Sequence, residues 1–163
     1  MTEVVELEIP ARAEFVGIAR MAVSALAGVR PGLQYERVDD LRIVVSEACT
    51  SAIEAAGEPG GRVVVRCFDS AEQLEVRIEA AAGAFDSALA PGTAGSAGSA
   101  GTGKGSGASG GSTETAVVRN SDQFRISLIR ALVDDVEVRP SPAGTELRLV
   151  LRREVPGDDP ASL

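Results

Sequence analysis

The chain has 163 residues, of which 44% are hydrophobic and 25% are charged, so it can bury a core and is not disordered by composition. Its net charge of −8 argues against a nucleic-acid binder, because such a protein needs a basic face to displace counterions. The absence of histidine excludes Ser-His and Cys-His nucleophile machinery, His-ligated metal sites and a phosphohistidine relay.

The first half of the chain alternates between strand and helix patterns. Val4–Ile9 alternates apolar and charged residues after Val4, which predicts a half-buried strand. Helical periodicity then predicts helices over Ala13–Ala27 and about Glu36–Ala56. Arg62–Phe68 and Leu74–Glu79, separated by a short polar turn, predict an antiparallel hairpin. The predicted core-facing stripe of the first helix consists of Phe15, Ile18, Ala22, Val23 and Leu26.

The 23 residues Pro91–Thr113 are of low complexity, with 9 Gly, 5 Ser, 4 Ala and 3 Thr. They offer no side chain able to build a core, so we expect a flexible loop. The remaining 140 residues fit one domain of ordinary size. We therefore expect a single domain over residues 1–155 that carries the loop 91–113, with a frayed polar tail over 156–163.

Regular patterns return after the loop. Asp122–Val133 has helical periodicity, and Val136–Arg139 and Glu146–Arg152 alternate as strands around a turn. Strands that meet mostly through short turns, with helices able to pack on one face, predict a two-layer α+β sandwich. The predicted apolar side of the last helix consists of Phe124, Leu128, Ala131 and Leu132.

The two cysteines and the hydropathy pattern indicate where the chain works. Cys49 and Cys67 lie among apolar neighbours and are expected to be buried, reduced thiols. The chain does not open on a signal-peptide pattern, and no uncharged run is long enough to span a membrane. We expect a cytoplasmic protein without a membrane partner.

Three segments together resemble a known family. They are VELEIPARAEFVGIARMAV (Val5–Val23), VVSEACTSAIEAA (Val44–Ala56) and LIRALVDDVEV (Leu128–Val138), the last followed by Gly144-Thr145. The chain resembles the bacterial anti-sigma factors that double as serine kinases, in the GHKL ATPase superfamily. This resemblance implies the histidine kinase-like ATPase fold, with a mixed β-sheet covered by helices on one face. It also places the loop 91–113 at the position of the ATP lid.

The first family signature is E-x-x-x-N on the second helix. In the family the acid orients or deprotonates the attacking hydroxyl, and the asparagine ligates Mg²⁺. The resemblance places Glu47 at the acid, the tentative catalytic base, and Ser51 at the asparagine, where a hydroxyl is a poorer magnesium ligand. The alternative interpretation of Glu47 is a solvated helix acid.

The other two signatures are degraded. The family's D-x-G-x-G, whose aspartate accepts the adenine amino group, corresponds to Ala80–Ala84, where alanine replaces the aspartate and both glycines. A glycine-rich G-x-G should fall within Gln123–Arg125, which contains no glycine. Thr145, in the Gly144-Thr145 pair near the adenine, matches the family as a weak nucleotide-binding residue; a turn residue entering a strand is an equally good interpretation.

Energetic magnitudes indicate what these losses mean. Losing a buried hydrogen bond to a charged acceptor costs about 1.5–3 kcal/mol, and alanine in a glycine conformation costs roughly 1–2 kcal/mol more per site. A micromolar site has only about 8 kcal/mol of binding free energy. Three or four such losses move the affinity towards millimolar or weaker. We therefore expect a degenerate nucleotide site with no cofactor, as in a pseudoenzyme.

The partner-binding half of the family pattern is retained. Arg20, which follows Ala19 on the first helix, matches an arginine that contributes to the surface holding the sigma factor or the anti-anti-sigma factor; an ordinary solvated arginine is the competing interpretation. We expect an anti-sigma-factor-like regulator that sequesters a sigma factor, and the family pattern suggests a homodimer. The alternative is an ATP-dependent serine kinase of an anti-anti-sigma factor, which requires Mg-ATP.

Overall fold

The computed structural model describes residues 1–57, 60–85 and 124–154. The loop predicted over 91–113 and the tail predicted over 156–163 lie outside the described residues. The strands are β1 (Glu3–Pro10), β2 (Arg62–Asp69), β3 (Gln73–Ala80), β4 (Asp135–Ser141) and β5 (Gly144–Arg152). The helices are α1 (Val16–Ala27), which follows a 3-10 turn over Ala13–Phe15, α2 (Tyr35–Ala56) and α3, residues 124–132.

The five strands form one sheet in the order β1-β2-β3-β5-β4. All four pairings between these strands are antiparallel. The α+β class is confirmed, but the expected mixed sheet is wrong for the described strands. The reason is that β3 and β4 run in the same direction and β5 lies between them, so they never pair with each other.

The sheet has one apolar and one charged face. Side chains alternate along each strand, and one set joins α1, α2 and α3 in a single hydrophobic core. The opposite face, which we call the open face, carries ion pairs between neighbouring strands, such as Arg66–Glu79 and Arg148–Glu75. The helices therefore lie on one face, as expected.

Two predicted helix faces are right only in part. Val23 is buried as predicted, and Phe15, Leu26 and Leu132 pack against the core. On α1 the buried residues are Ala19, Val23 and Ala27, whereas Ile18 is exposed. On α3 the buried residues are Ile126 and Ile129, whereas Phe124 is exposed. Alanine at two of the buried α1 positions lets this helix pack closely. Periodicity favoured the larger side chains, but packing placed several of them outside the core.

Candidate functional site

The α2 helix places three oxygen-bearing side chains in one row. Glu47, Ser51 and Glu54 are spaced i, i+4 and i+7, so they lie on the same side of the helix. Glu47 is about one-third exposed and Glu54 about half exposed, but Ser51 is buried at 8%. We call these three residues the α2 acidic row. It contains both residues predicted for the first signature.

Arg125, the second described residue of α3, binds across this row. Both of its terminal nitrogens hydrogen-bond to the Glu54 carboxylate, one of them at 3.1 Å. Its Nε lies 3.4 Å from Oε2 of Glu47. Glu47, the candidate catalytic acid, therefore forms an ion pair with Arg125. Arg125 belongs to the segment in which the resemblance places the family's third, glycine-rich signature.

The degraded second signature and Gly144 lie against each other. Gly144 has φ +142°, and a Cβ there would come within 2.3 Å of the Ala82 backbone nitrogen and 2.8 Å of the Ala80 carbonyl oxygen. The turn after β3 closes with a 3.3 Å hydrogen bond from Ala84 N to Ala81 O. Only glycine fits this contact, because a side chain at residue 144 would overlap backbone atoms.

Thr145 lies in β5, directly opposite Ala80 on β3 and Pro140 on β4. It is buried, and so is Ala80. The fold therefore brings two predicted elements together: the second signature and the Gly144-Thr145 pair. The side chain of Ala80, where the resemblance implies an aspartate, is a methyl group and supplies no carboxylate.

The described residues of this site differ from the family pattern for a Mg-nucleotide. Ala80 supplies no carboxylate for adenine, and Ser51 replaces the magnesium-ligating asparagine. The carboxylates of Glu47 and Glu54 are both paired with Arg125. Among the residues that the structure describes, no group of three or more Cys, Asp and Glu side chains could hold a metal ion.

A groove of about 1280 Å³ lies between α1 and α2, on the side away from the sheet. Its apolar lining includes Ile18, Met21 and Ile43, which are 46%, 69% and 45% exposed. Exposed large apolar side chains that cluster around a groove are typical of a protein-binding surface. We call this feature the α1/α2 groove.

Arg20 lines the same groove. Its side chain is exposed, and it forms no ion pair with any described residue, whereas Arg42 is held 2.5 Å from Asp39. An unpaired arginine beside exposed apolar side chains is available to a partner carboxylate. Sequence reasoning identified Arg20 but missed Ile18, Met21 and Ile43. These three side chains are exposed because of the orientation in which α1 packs against α2, and periodicity alone does not give this orientation.

The two thiols are poor candidates for chemistry. Burial raises the pKa of Cys49 to about 12, and burial followed by the charge of Asp69 raises the pKa of Cys67 to about 11. Both thiols are therefore protonated near neutral pH and inaccessible, as predicted. No helix in the described part of the chain is long and apolar enough to cross a membrane.

Comparison with known proteins matches residues 9–151 to the histidine kinase-like ATPase domain. The chain is 42% identical over 88 residues to the serine-protein kinase RsbW of Bacillus pumilus, covering 52% of this chain and 54% of that protein. It is 36% identical over 88 residues to RsbW of Listeria monocytogenes, covering 53% and 55%. RsbW of Halalkalibacterium halodurans is 33% identical over 84 residues, covering 52% and 51%. The chain spans about half the length of the curated relatives it matches.

Proposed function

This chain belongs to the family of histidine kinase-like ATPase domains, and we propose that it acts as an anti-sigma-factor-like regulator. In this role it sequesters a sigma factor, or a related partner, by protein–protein binding in the cytoplasm. The observation that carries the proposal is the α1/α2 groove, in which Arg20 lies beside three exposed apolar side chains.

The groove combines the two kinds of contact that dominate protein interfaces. Ile18, Met21 and Ile43 supply apolar surface that loses contact with water on binding. Arg20 supplies a charged anchor that can bind a carboxylate with two parallel hydrogen bonds. The net charge of −8 favours encounter with a partner that is basic elsewhere on its surface.

We further propose that partner binding needs no nucleotide. The adenine aspartate position is Ala80, the magnesium ligand position is Ser51, and Glu47 is paired with Arg125. These features predict that Mg-ATP binds at millimolar concentration or not at all, although the family's name implies ATP use in its active members. Glu47, Ser51 and Thr145 then remain as traces of a nucleotide site.

The test is calorimetric titration of the purified chain with the purified sigma factors of its host, with and without 5 mM Mg-ATP. We expect one complex whose affinity is unchanged by Mg-ATP and falls about tenfold or more in Arg20→Ala. Arg152→Ala is the matched control, because Arg152 is exposed on the open face and forms no ion pair with a described residue. Equal losses in the two variants, or no complex with any sigma factor, would contradict the proposal.

The second candidate is a serine kinase that phosphorylates an anti-anti-sigma factor. The names of the relatives favour it, since all three are serine-protein kinases. It requires saturable binding of Mg-ATP and transfer of labelled γ-phosphate to a partner serine. Binding of Mg-ATP tighter than about 100 μM would favour this candidate over nucleotide-independent sequestration.

A further inference from the structure

The Arg125 guanidinium spans the α2 acidic row. Glu47 and Glu54 are seven residues apart, which is about 10.5 Å along a helix. Arg125 reaches both: its Nε is 3.4 Å from Glu47, and its terminal nitrogens hydrogen-bond to Glu54. Ser51 lies between these two acids along α2. Ser51 is buried, whereas the two acids are partly exposed.

Two carboxylates and a hydroxyl on one helix face are the oxygen ligands that a hard divalent cation prefers. Here both carboxylates already share one guanidinium, which forms an ion pair with Glu47 and two hydrogen bonds with Glu54. A magnesium ion could reach the row only by displacing Arg125. We propose that Arg125 is a built-in cation that excludes magnesium, and hence a magnesium-bound nucleotide, from α2.

The same contact fixes α3 against α2. At the other end of the helix pair, Arg37 of α2 donates hydrogen bonds to the Leu132 carbonyl oxygen at 3.0 Å and to Asp134 at 2.6 Å. The two helices therefore run antiparallel and are joined at each end by one arginine. Arg125 thus ties the described beginning of α3 to the α2 acidic row.

The experiment restores a magnesium ligand and then removes the arginine. Ser51→Asn and Ser51→Asn/Arg125→Gln are titrated with Mg-ATP up to several millimolar by calorimetry, after thermal denaturation has shown that each is folded. We expect the double variant to bind Mg-ATP at least tenfold more tightly than Ser51→Asn alone. Removing a positive charge weakens non-specific attraction for the anionic nucleotide, so a gain in affinity cannot come from net charge.

Arg37→Gln supplies the matched control. This substitution also removes an arginine of α2 that contacts α3, at Leu132, and Asp134 just after it. Arg37 is distant from Glu47, so Ser51→Asn/Arg37→Gln should bind Mg-ATP as tightly as Ser51→Asn does. Ser51→Asn/Arg125→Lys, which keeps the cation, should do the same. Equal affinity with and without Arg125, whether measurable or undetectable, would overturn the proposal. This inference extends the nucleotide-independent part of the proposed function, and its test uses no protein partner, so the two can fail separately.

Discussion

Arg153 and Asp69 form an ion pair that is almost fully removed from water: Nη2 of Arg153 lies 2.6 Å from Oδ1 of Asp69, and the side chains are 1% and 0% exposed. The second carboxylate oxygen of Asp69 accepts a 2.7 Å hydrogen bond from Nε of Arg30. Arg153 also donates to the carbonyl oxygens of Arg30 and Pro31, at 2.7 and 3.2 Å. This cluster binds the connection between α1 and α2 to the end of the sheet. It therefore fixes the positions of the two helices that form the α1/α2 groove.

Arg153→Ala is expected to lower the free energy of unfolding by about 3–5 kcal/mol, because it leaves a buried carboxylate that has lost one of its two cations. Urea denaturation at neutral pH measures this loss. Arg139→Ala, which breaks the exposed pair with Glu137, should cost far less stability because water screens that pair. If the two variants lost similar stability, the buried Arg153–Asp69 pair would not stabilise the fold as its geometry indicates.

Gly144→Ala is expected to destabilise the protein strongly, by about 2 kcal/mol or more, since a Cβ would meet the backbone of Ala80–Ala82 at a positive φ. The melting temperature should fall by several degrees. Gly17→Ala is the matched control: Gly17 lies in α1, nothing is within 4 Å of its Cβ position, and alanine favours the helix. A melting temperature for Gly144→Ala at or above that of Gly17→Ala would contradict the predicted contact.

Glu75 is expected to contribute to acid denaturation. Burial acts to raise the pKa of Glu75, but hydrogen bonds from Arg148 and Arg77 outweigh it, and the net pKa lies below the ordinary value of 4.5. A lowered carboxyl pKa gives stability that is present above pH 4.5 and is lost as the pH falls through the lower, folded-state value.

Glu75→Gln should therefore be less stable than wild type at pH 7, and the difference should shrink as the pH falls below 4.5. Urea denaturation at pH 7, 5 and 3 measures it. Glu146→Gln is the control, because Glu146 lies on the same open face and forms no ion pair with a described residue. A difference between Glu75→Gln and wild type that stays constant with pH would show that the carboxylate charge is not its source.

Cys49 and Cys67 are expected to resist thiol reagents in the folded protein, because both are buried and the thiolate is scarce near neutral pH. A colorimetric disulfide reagent at pH 8 should modify neither thiol within minutes, and both should react at once in 8 M urea. Rapid modification of the native chain would mean that α2 or the sheet opens far more readily than the core packing implies.

The sequence by itself determined the elements and the family. Periodicity placed all the described strands and helices to within a few residues, because alternation and helical spacing are local properties. The sequence also showed that residue 80 is alanine, where the resemblance implies an aspartate, since this depends only on which residue stands in a recognisable segment. The buried state of Cys49 and Cys67 followed from apolar neighbours in the same way.

Tertiary structure decided which helix faces are buried and which distant charges meet. Helical periodicity predicts Ile18 on the core-facing stripe, but α1 instead buries Ala19 and Ala27, and this leaves Ile18 in the α1/α2 groove. Arg125 and Glu54 are 71 residues apart along the chain. No local sequence pattern relates these two residues, because their contact forms only when α3 packs antiparallel to α2. Long-range packing, and not local propensity, is therefore the physical cause of this contact.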